Sequence, residues 1–396
     1  MSASSTTPPQ TGPEERLLVA GVQRLTVYPL AHPELWRHYK QQLASFWTAE
    51  EIDFSKDRDQ WNTKLNDDER HFVRSILAFF AASDSVVSLN IMNSFCSEVR
   101  LLEAQIAYTF QAMMENIHAE VYSMMIDVYV TDPDEREDMF SNLGSLSSVR
   151  KKVEWARRWS LLADTPTVPP LAPEVAPEVA PEVAAEVTPE VTAAAEAAPK
   201  PSATAPFPRR LVAYAIVEGL FFSGAFCAIY WIKQRNLLPG LTKSNEFIAR
   251  DEGQHTEFAC TLYGMLSPSS RLPEAELHAL FREAVAVETE FITESVPCRL
   301  VGMNAALMTQ YIEYVADGLM ARLGYATIYG ATNPFPFMDL IGMAGRSNFF
   351  EERVSLYQRA DVLNEDRATA AASESSDAAV ATPEKKKLDL LFDSDF

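Results

Sequence analysis

Residues 211–232 read LVAYAIVEGLFFSGAFCAIYWI, twenty-two positions that are almost all apolar and carry one charge, Glu218. By length the run fits a membrane span, and Arg209, Arg210 and Lys233 flank it as interfacial anchors would. The acid argues against that solution, because an ionisable group deep in lipid is expensive and normally paired. The alternative is a helix enclosed by protein on all sides, whose buried carboxylate is neutralised by something other helices supply.

Those helices are legible as stripes. In 69–91 the apolar positions Val73, Ile76, Leu77, Phe80, Val87 and Ile91 recur at steps of three and four, and Asp84 falls on the same face. In 105–129 the stripe runs Tyr108, Ala112, Glu115, His118, Tyr122, Met125 and Tyr129, with two titratable groups where apolar ones belong. After Pro239-Gly240, a further segment contains Arg250, Asp251, Glu252, Gly253, Gln254 and His255 in succession. Additional helical patterns occupy about 274–296 and 301–323, and alternating strand patterns are scarce, so the class is all-α.

In chain order the inward-facing ionisable groups are Asp84, Glu115 with His118, Glu218, and Glu252 with His255. The pattern is carboxylate, E-x-x-H, carboxylate, E-x-x-H. Residues i and i+3 project from adjacent turns of one helix face, so each E-x-x-H offers an oxygen and an imidazole nitrogen to a common point. Four acids and two imidazoles form a hard, oxygen-rich set that suits iron or manganese better than zinc and balances most of the charge of two divalent ions. This is the ligand pattern of a ferritin-like di-iron carboxylate bundle, here with additional helices and with Asp in place of one Glu. Independent buried salt bridges would be the competing account, but the runs holding Asp84 and Glu218 carry no Lys or Arg on the same face. Glu120 and Glu257 read as surface charges, and His32, His38, His71 and His278 lack ligand-like spacing.

Tyr122 follows His118 by four residues, one turn along the inward face and close to the expected metals. Phe222 and Phe226, four and eight residues after Glu218, and Ile248, four before Glu252, are positioned to line a dry pocket there. The residues by themselves leave Tyr122 open between a redox-active phenol and a core tyrosine whose hydroxyl bonds Asp84 or water.

The chain has 34 basic and 55 acidic residues, a formal charge of −21, which disfavours phosphate backbones and acidic lipid surfaces as partners. Its four cysteines, Cys96, Cys227, Cys260 and Cys298, show no C-x-x-C spacing, as expected in a reducing compartment, and the first twenty residues lack the apolar core of a signal peptide. Composition shifts sharply at 165–208, where the tetrads APEV, APEV, APEV, AAEV and TPEV run in register. Proline at that period breaks a helical ladder, and Val and Ala bury too little area to offset ordering entropy. The expected organisation is a disordered tail at 1–16, a helical domain at 17–363 interrupted by a disordered insert at 165–208, and a flexible tail at 364–396.

The segments FWTAEEIDFSKD, DERHFVRSILAFFAASD, MENIHAEVYS, VEGLFFSGAF, PGLTKSNEFIARDEG, and GMN followed by QYIEYVAD closely resemble the radical-bearing small subunit of class I ribonucleotide reductase, of the eukaryotic kind. The resemblance covers about 20–360 apart from the insert. It implies that Asp84, Glu115, His118, Glu218, Glu252 and His255 bind two irons as a μ-oxo di-iron centre, with manganese less favoured, and that Tyr122 holds a stable radical. It further implies a radical route through Trp47, Asp251 and His118, with Tyr357 leading outward to a large catalytic subunit that reduces ribonucleoside diphosphates. The terminal LDLLFDSDF is similar to the family's docking tail, so Leu390, Phe392 and Phe396 are its expected contacts, although Leu390 stands where the eukaryotic pattern often has Phe. A cytoplasmic homodimer is implied by the resemblance alone. The chain has no Gly-rich phosphate loop or cysteine trio for sugar reduction, consistent with that division of labour. Two rivals are a ferritin-like oxidase or desaturase acting alone, which leaves the tail, Trp47 and Tyr357 unexplained, and a non-catalytic paralogue, which leaves the complete ligand set unexplained.

Overall fold

The stripes fold as helices. The computed structural model describes residues 17–18, 24, 26–134, 136, 147–160, 205–295 and 304–338, with the side chains of 82, 84–90, 92, 93, 147, 160 and 295 outside that description. The main elements are α1 (Pro33–Ala44), α2 (Ser55–Thr63), α3 (Asp67–Asn90), α4 (Leu102–Tyr129), α5 (Ser147–Ser160), α6 (Phe207–Ile216), α7 (Ser223–Gln234), α8 (Pro239–Met265), α9 (Glu274–Ser295) and α10 (Ala305–Leu323). Among the described residues there is no β-strand. Helix α3 packs on α4, α4 also on α1, and α8 on α6 and α7, while α5, α9 and α10 close the far side of the α6–α7 segment.

The apolar run is a core element. Its most hydrophobic window, within Phe207–Gln234, has a mean hydropathy of 1.8 and is 94 % buried in protein. It is not one uninterrupted α-helix as its composition suggests: a π turn, Val217–Phe221, separates α6 from α7. The expected insert also ends earlier than 208. Phe207 begins α6 and is buried against Phe95, with ring centroids 5.9 Å apart, and Pro208 sits in the first turn, where its missing N–H costs nothing. The remaining boundaries of the insert and both expected tails lie outside the described residues.

Helix α8 carries the second E-x-x-H, and its start is firmly fixed. Pro239 occupies its first position, and the buried Asp57 carboxylate accepts the Gly240 and Leu241 amides at 2.8 Å each and the Tyr129 hydroxyl at 2.6 Å. Leu238, left-handed at φ 48°, donates its N–H to Gln60 Oε1 at 2.6 Å. A side chain at Gly240 would bring a Cβ within 2.5 Å of the Phe54 ring, so the close approach of α2 requires glycine there. Farther along, Asn304 caps α10 through the Leu307 amide, and Gly324, at φ 87°, terminates it.

Candidate metal centre

Helix α4 supplies Glu115 and His118, the π turn supplies Glu218, and α8 supplies Glu252 and His255. All five are buried. Ligand-type atoms of Glu115, Glu218, Glu252 and His255 lie within 4.8 Å of one another. The two middle carboxylates are shared: Glu115 presents Oε2 to His118 Nδ1 at 3.4 Å and Oε1 to His255 Nδ1 at 3.0 Å. Glu252 presents Oε1 to His118 Nδ1 at 3.2 Å and Oε2 to His255 Nδ1 at 3.4 Å. Glu218 Oε2 approaches only one of the two imidazoles in this set, His255 Nδ1, at 3.9 Å. Asp84 stands in α3, and its side chain lies outside the described residues.

The π turn is what aims the third helix. Over eight residues of regular α-helix, at about 100° per residue, Phe226 would lie roughly 80° round from Glu218; one extra residue in the turn reduces the offset to about 20°. Glu218 and Phe226 therefore share a face. Gly219 lies against α8, where a Cβ would fall 2.9 Å from Thr256 Cγ2.

The residues present fit a pair of metal ions. Every carboxylate oxygen of Glu115, Glu218 and Glu252, His118 Nδ1 and both ring nitrogens of His255 are buried without a hydrogen bond. Leaving such groups unsatisfied costs about 1–3 kcal/mol each, and more when charged. The electrostatics agree. Burial disfavours protonated His118, but Asp251, Glu115 and Glu252 outweigh it and hold the imidazole pKa well above 6.5. Burial likewise disfavours protonated His255, and Glu115, Glu218 and Glu252 outweigh it. Burial, reinforced by Glu252 and Glu115, pushes the Glu218 carboxyl well above 4.5. Imidazoles that attract protons beside a carboxyl that resists ionising mark a pocket with surplus negative charge and a place for cations. Lys152, a fully buried ammonium, is paired elsewhere, with Glu288.

Tyr122 is fully buried, one turn beyond His118. It stacks on Phe80 at 4.9 Å, and Phe80 in turn meets Phe222 at 5.5 Å and Phe226 at 5.6 Å. Ile248 is fully buried on α8, four residues before Glu252. Phe80 is the member of this wall that spacing from the ligands does not single out; its position four residues before Asp84 on the α3 stripe is the signal that could have found it.

On the opposite side of His118 lies a series of polar contacts. Trp47 Nε1 donates to Asp251 Oδ2 at 2.7 Å, and the same oxygen lies 3.3 Å from His118 Nε2. Trp47 is fully buried, with its ring stacked on the His118 imidazole at 6.0 Å. Arg250, absent from the sequence expectations, donates to Asp251 Oδ1 at 3.0 and 3.2 Å and to the Ser45 carbonyl at 2.6 Å, tying the segment before Trp47 to α8. Tyr357, Leu390, Phe392 and Phe396 lie outside the described residues. Glu120, Glu257 and His71 are exposed, while His38 bonds Thr261 and His278 bonds the Ala326 carbonyl. Cys96, Cys227 and Cys260 are free thiols, and Cys298 falls outside the described residues.

The family described as ribonucleotide reductase, small chain, matches residues 24–334. A ribonucleoside-diphosphate reductase small chain from Neurospora crassa is 45% identical over 393 residues, covering 98% of this sequence and 84% of the relative. A ribonucleoside-diphosphate reductase small chain from Arabidopsis thaliana is 43% identical over 352 residues, covering 89% of this sequence and 93% of the relative. Among solved structures, the ribonucleotide reductase Rnr4 homodimer of Saccharomyces cerevisiae aligns with a TM-score of 0.66 at 32% identity, covering 87% of this sequence and 93% of that protein.

Proposed function

This chain belongs to the ribonucleotide reductase small-chain family, and on that premise we propose that its buried cluster holds two iron ions and that Tyr122 stores the oxidising equivalent they generate. The protein is then the small subunit of a ribonucleoside-diphosphate reductase, an oxidoreductase whose large subunit carries out the reduction of ribonucleotides. The observation that carries the reading is the shared geometry of Glu115 and Glu252, each with one oxygen toward each imidazole and none of those oxygens hydrogen-bonded. In this reading Glu115, His118, Glu218, Glu252 and His255, with Asp84 from α3 as the sixth ligand, would hold the two ions.

When bound, the two ions supply oxygen activation and one-electron oxidation. The protein's own residues decide where the oxidising equivalent goes. Tyr122 would be the residue oxidised by one electron, and Phe80, Phe222 and Phe226 would keep water from it. Asp251 orients His118, holding Nε2 on its own side so that Nδ1 faces the shared carboxylates, and at the same time accepts the Trp47 indole N–H. Trp47, Asp251 and His118 thereby form a route for electron and proton movement. Tyr357 continues it toward the large subunit, and the tail with Leu390, Phe392 and Phe396 docks there. A cytoplasmic location and a homodimeric state are part of the same proposal, and the homodimeric yeast neighbour supports the second.

The test is to load anaerobic protein with Fe(II), admit oxygen and record optical and electron paramagnetic resonance spectra, with Mn(II) loading in parallel. A tyrosyl signal that appears with iron and is lost in Tyr122→Phe is expected. No signal with either metal, or the same signal in Tyr122→Phe, overturns the assignment; a signal from manganese alone replaces iron with manganese.

A further inference from the structure

One fully buried charged pair has no part in that scheme. Lys152 of α5 and Glu288 of α9 are 1 % and 0 % exposed, with Nζ 2.6 Å from Oε2. Lys152 Nζ also donates to the Phe221 carbonyl at 2.6 Å and lies over the Phe79 and Phe291 rings, 3.3 and 4.0 Å from their centroids. Glu288 Oε1 lies against Gly224, where a Cβ would fall 2.7 Å away; burial pushes the Glu288 carboxyl up to about 7, a rise that Lys152 and, more weakly, the Gly224 amide oppose. Taking two charges out of water is costly, and a well-packed apolar pair of the same size is often no less stable. The position of the pair suggests what is gained in return.

Phe221 is the last residue of the π turn and Gly224 lies in the first turn of α7, so the two charges grip the segment immediately after Glu218 from the side away from α8. On the other side Gly219 is pressed against Thr256 of α8. A π turn is a register choice, and the same residues wound as regular α-helix would move Glu218 by about 100° relative to α7. We propose that Lys152 and Glu288 are positioning residues for Glu218: they clasp the π turn from Phe221 to Gly224 and fix the register in which Glu218 joins the cluster. The inference rests on that cluster being the metal centre.

The double variant Lys152→Met with Glu288→Met removes both charges at nearly constant volume, and its stability is expected to remain close to that of the wild type. Two measurements that start from metal-free protein read the clasp. In hydrogen–deuterium exchange, amides of 217–224 are expected to exchange at least about tenfold faster while α4 keeps its protection. In anaerobic titration with Co(II) alone, followed by ligand-field absorption, the wild type is expected to bind two ions. The variant should bind one of them about 10- to 100-fold more weakly, with an altered spectrum. Wild-type exchange at 217–224 together with wild-type Co(II) binding overturns the clasp. No Co(II) uptake by the wild type refutes the metal reading of the cluster and this inference with it, and is distinguishable because the clasp alone fails only when both proteins bind equally well. If the double variant does not fold, Glu288→Gln is read in the same two assays with the same opposing outcomes.

Discussion

Replacing Asp251 with Asn keeps the shape of the side chain but removes the charge and one acceptor oxygen. In the folded protein, Oδ2 accepts Trp47 Nε1 at 2.7 Å and faces His118 Nε2 at 3.3 Å, while Oδ1 accepts two Arg250 donors at 3.0 and 3.2 Å. An amide has one carbonyl oxygen for these two directions. If it faces Trp47, its NH2 confronts the guanidinium; if it faces Arg250, its NH2 confronts the indole N–H. In either orientation at least one charge-assisted hydrogen bond is lost, worth about 1.5–3 kcal/mol. If that interaction is needed in the rate-limiting transfer, turnover falls by roughly 10- to 150-fold, at about 1.4 kcal/mol per factor of ten. The assay is ribonucleotide reduction with the large subunit, alongside the amplitude of the Tyr122 radical in the same preparation. The expected result is a normal radical with depressed turnover. Turnover within about twofold of wild type at full radical content would refute the role of Asp251 as the link between Trp47 and His118.

Phe80→Ala removes a fully buried ring stacked on Tyr122 and is expected to cost about 3–5 kcal/mol in urea unfolding and to shorten the radical's lifetime in resonance decay measurements; an unchanged lifetime contradicts the water-excluding role of that wall. Tyr357→Phe should preserve the radical and abolish turnover, whereas deleting residues 390–396 should weaken association with the large subunit, measured by sedimentation, and leave metal uptake intact. Burial tends to raise the Glu103 pKa, but Arg24 and the Ala31 amide outweigh it and hold the carboxyl at about 2, below its ordinary 4.5. Because the folded value is the depressed one, its hold on Arg24, Ala31 and His32 is complete above pH 4.5 and is lost as the pH falls toward 2. Trp36 fluorescence should report that loss in wild type and show little further acid dependence in Glu103→Gln.

The helix-borne parts of the site are legible because a titratable group inside a period of three and four is hard to account for except as part of a buried site. Glu115, His118, Glu252 and His255 can be placed by counting along two helices. Glu218 stands out as the charge in an apolar run, but the π turn that directs it leaves no comparable signal, since VEGLF reads as ordinary helix with one glycine. Trp47 and Arg250 show a different limit. Their importance arises from a segment outside the bundle meeting α8 through Ser45, a contact between residues some two hundred positions apart that no local period encodes. Lys152 is hidden by its neighbours: in VRKKVEW it resembles Arg150 and Lys151, and only the packing of α5 against α9 reveals that this one ammonium points inward.

The shared placement of Glu115 and Glu252 makes the two E-x-x-H helices near equivalents, and that equivalence exposes two differences. Four residues after His118 stands Tyr122, whereas four after His255 stands Ala259, buried and inert to oxidation. One residue before Glu252 stands Asp251, whereas one before Glu115 stands Met114. A duplicated frame would send an oxidising equivalent either way; under the proposed function, the half with Tyr122 would store it and the half with Asp251 would pass it on. Directionality would then be written in two single-residue breaks of an internal symmetry, which makes Ala259→Tyr and Met114→Asp the substitutions that would test how much of it those breaks determine.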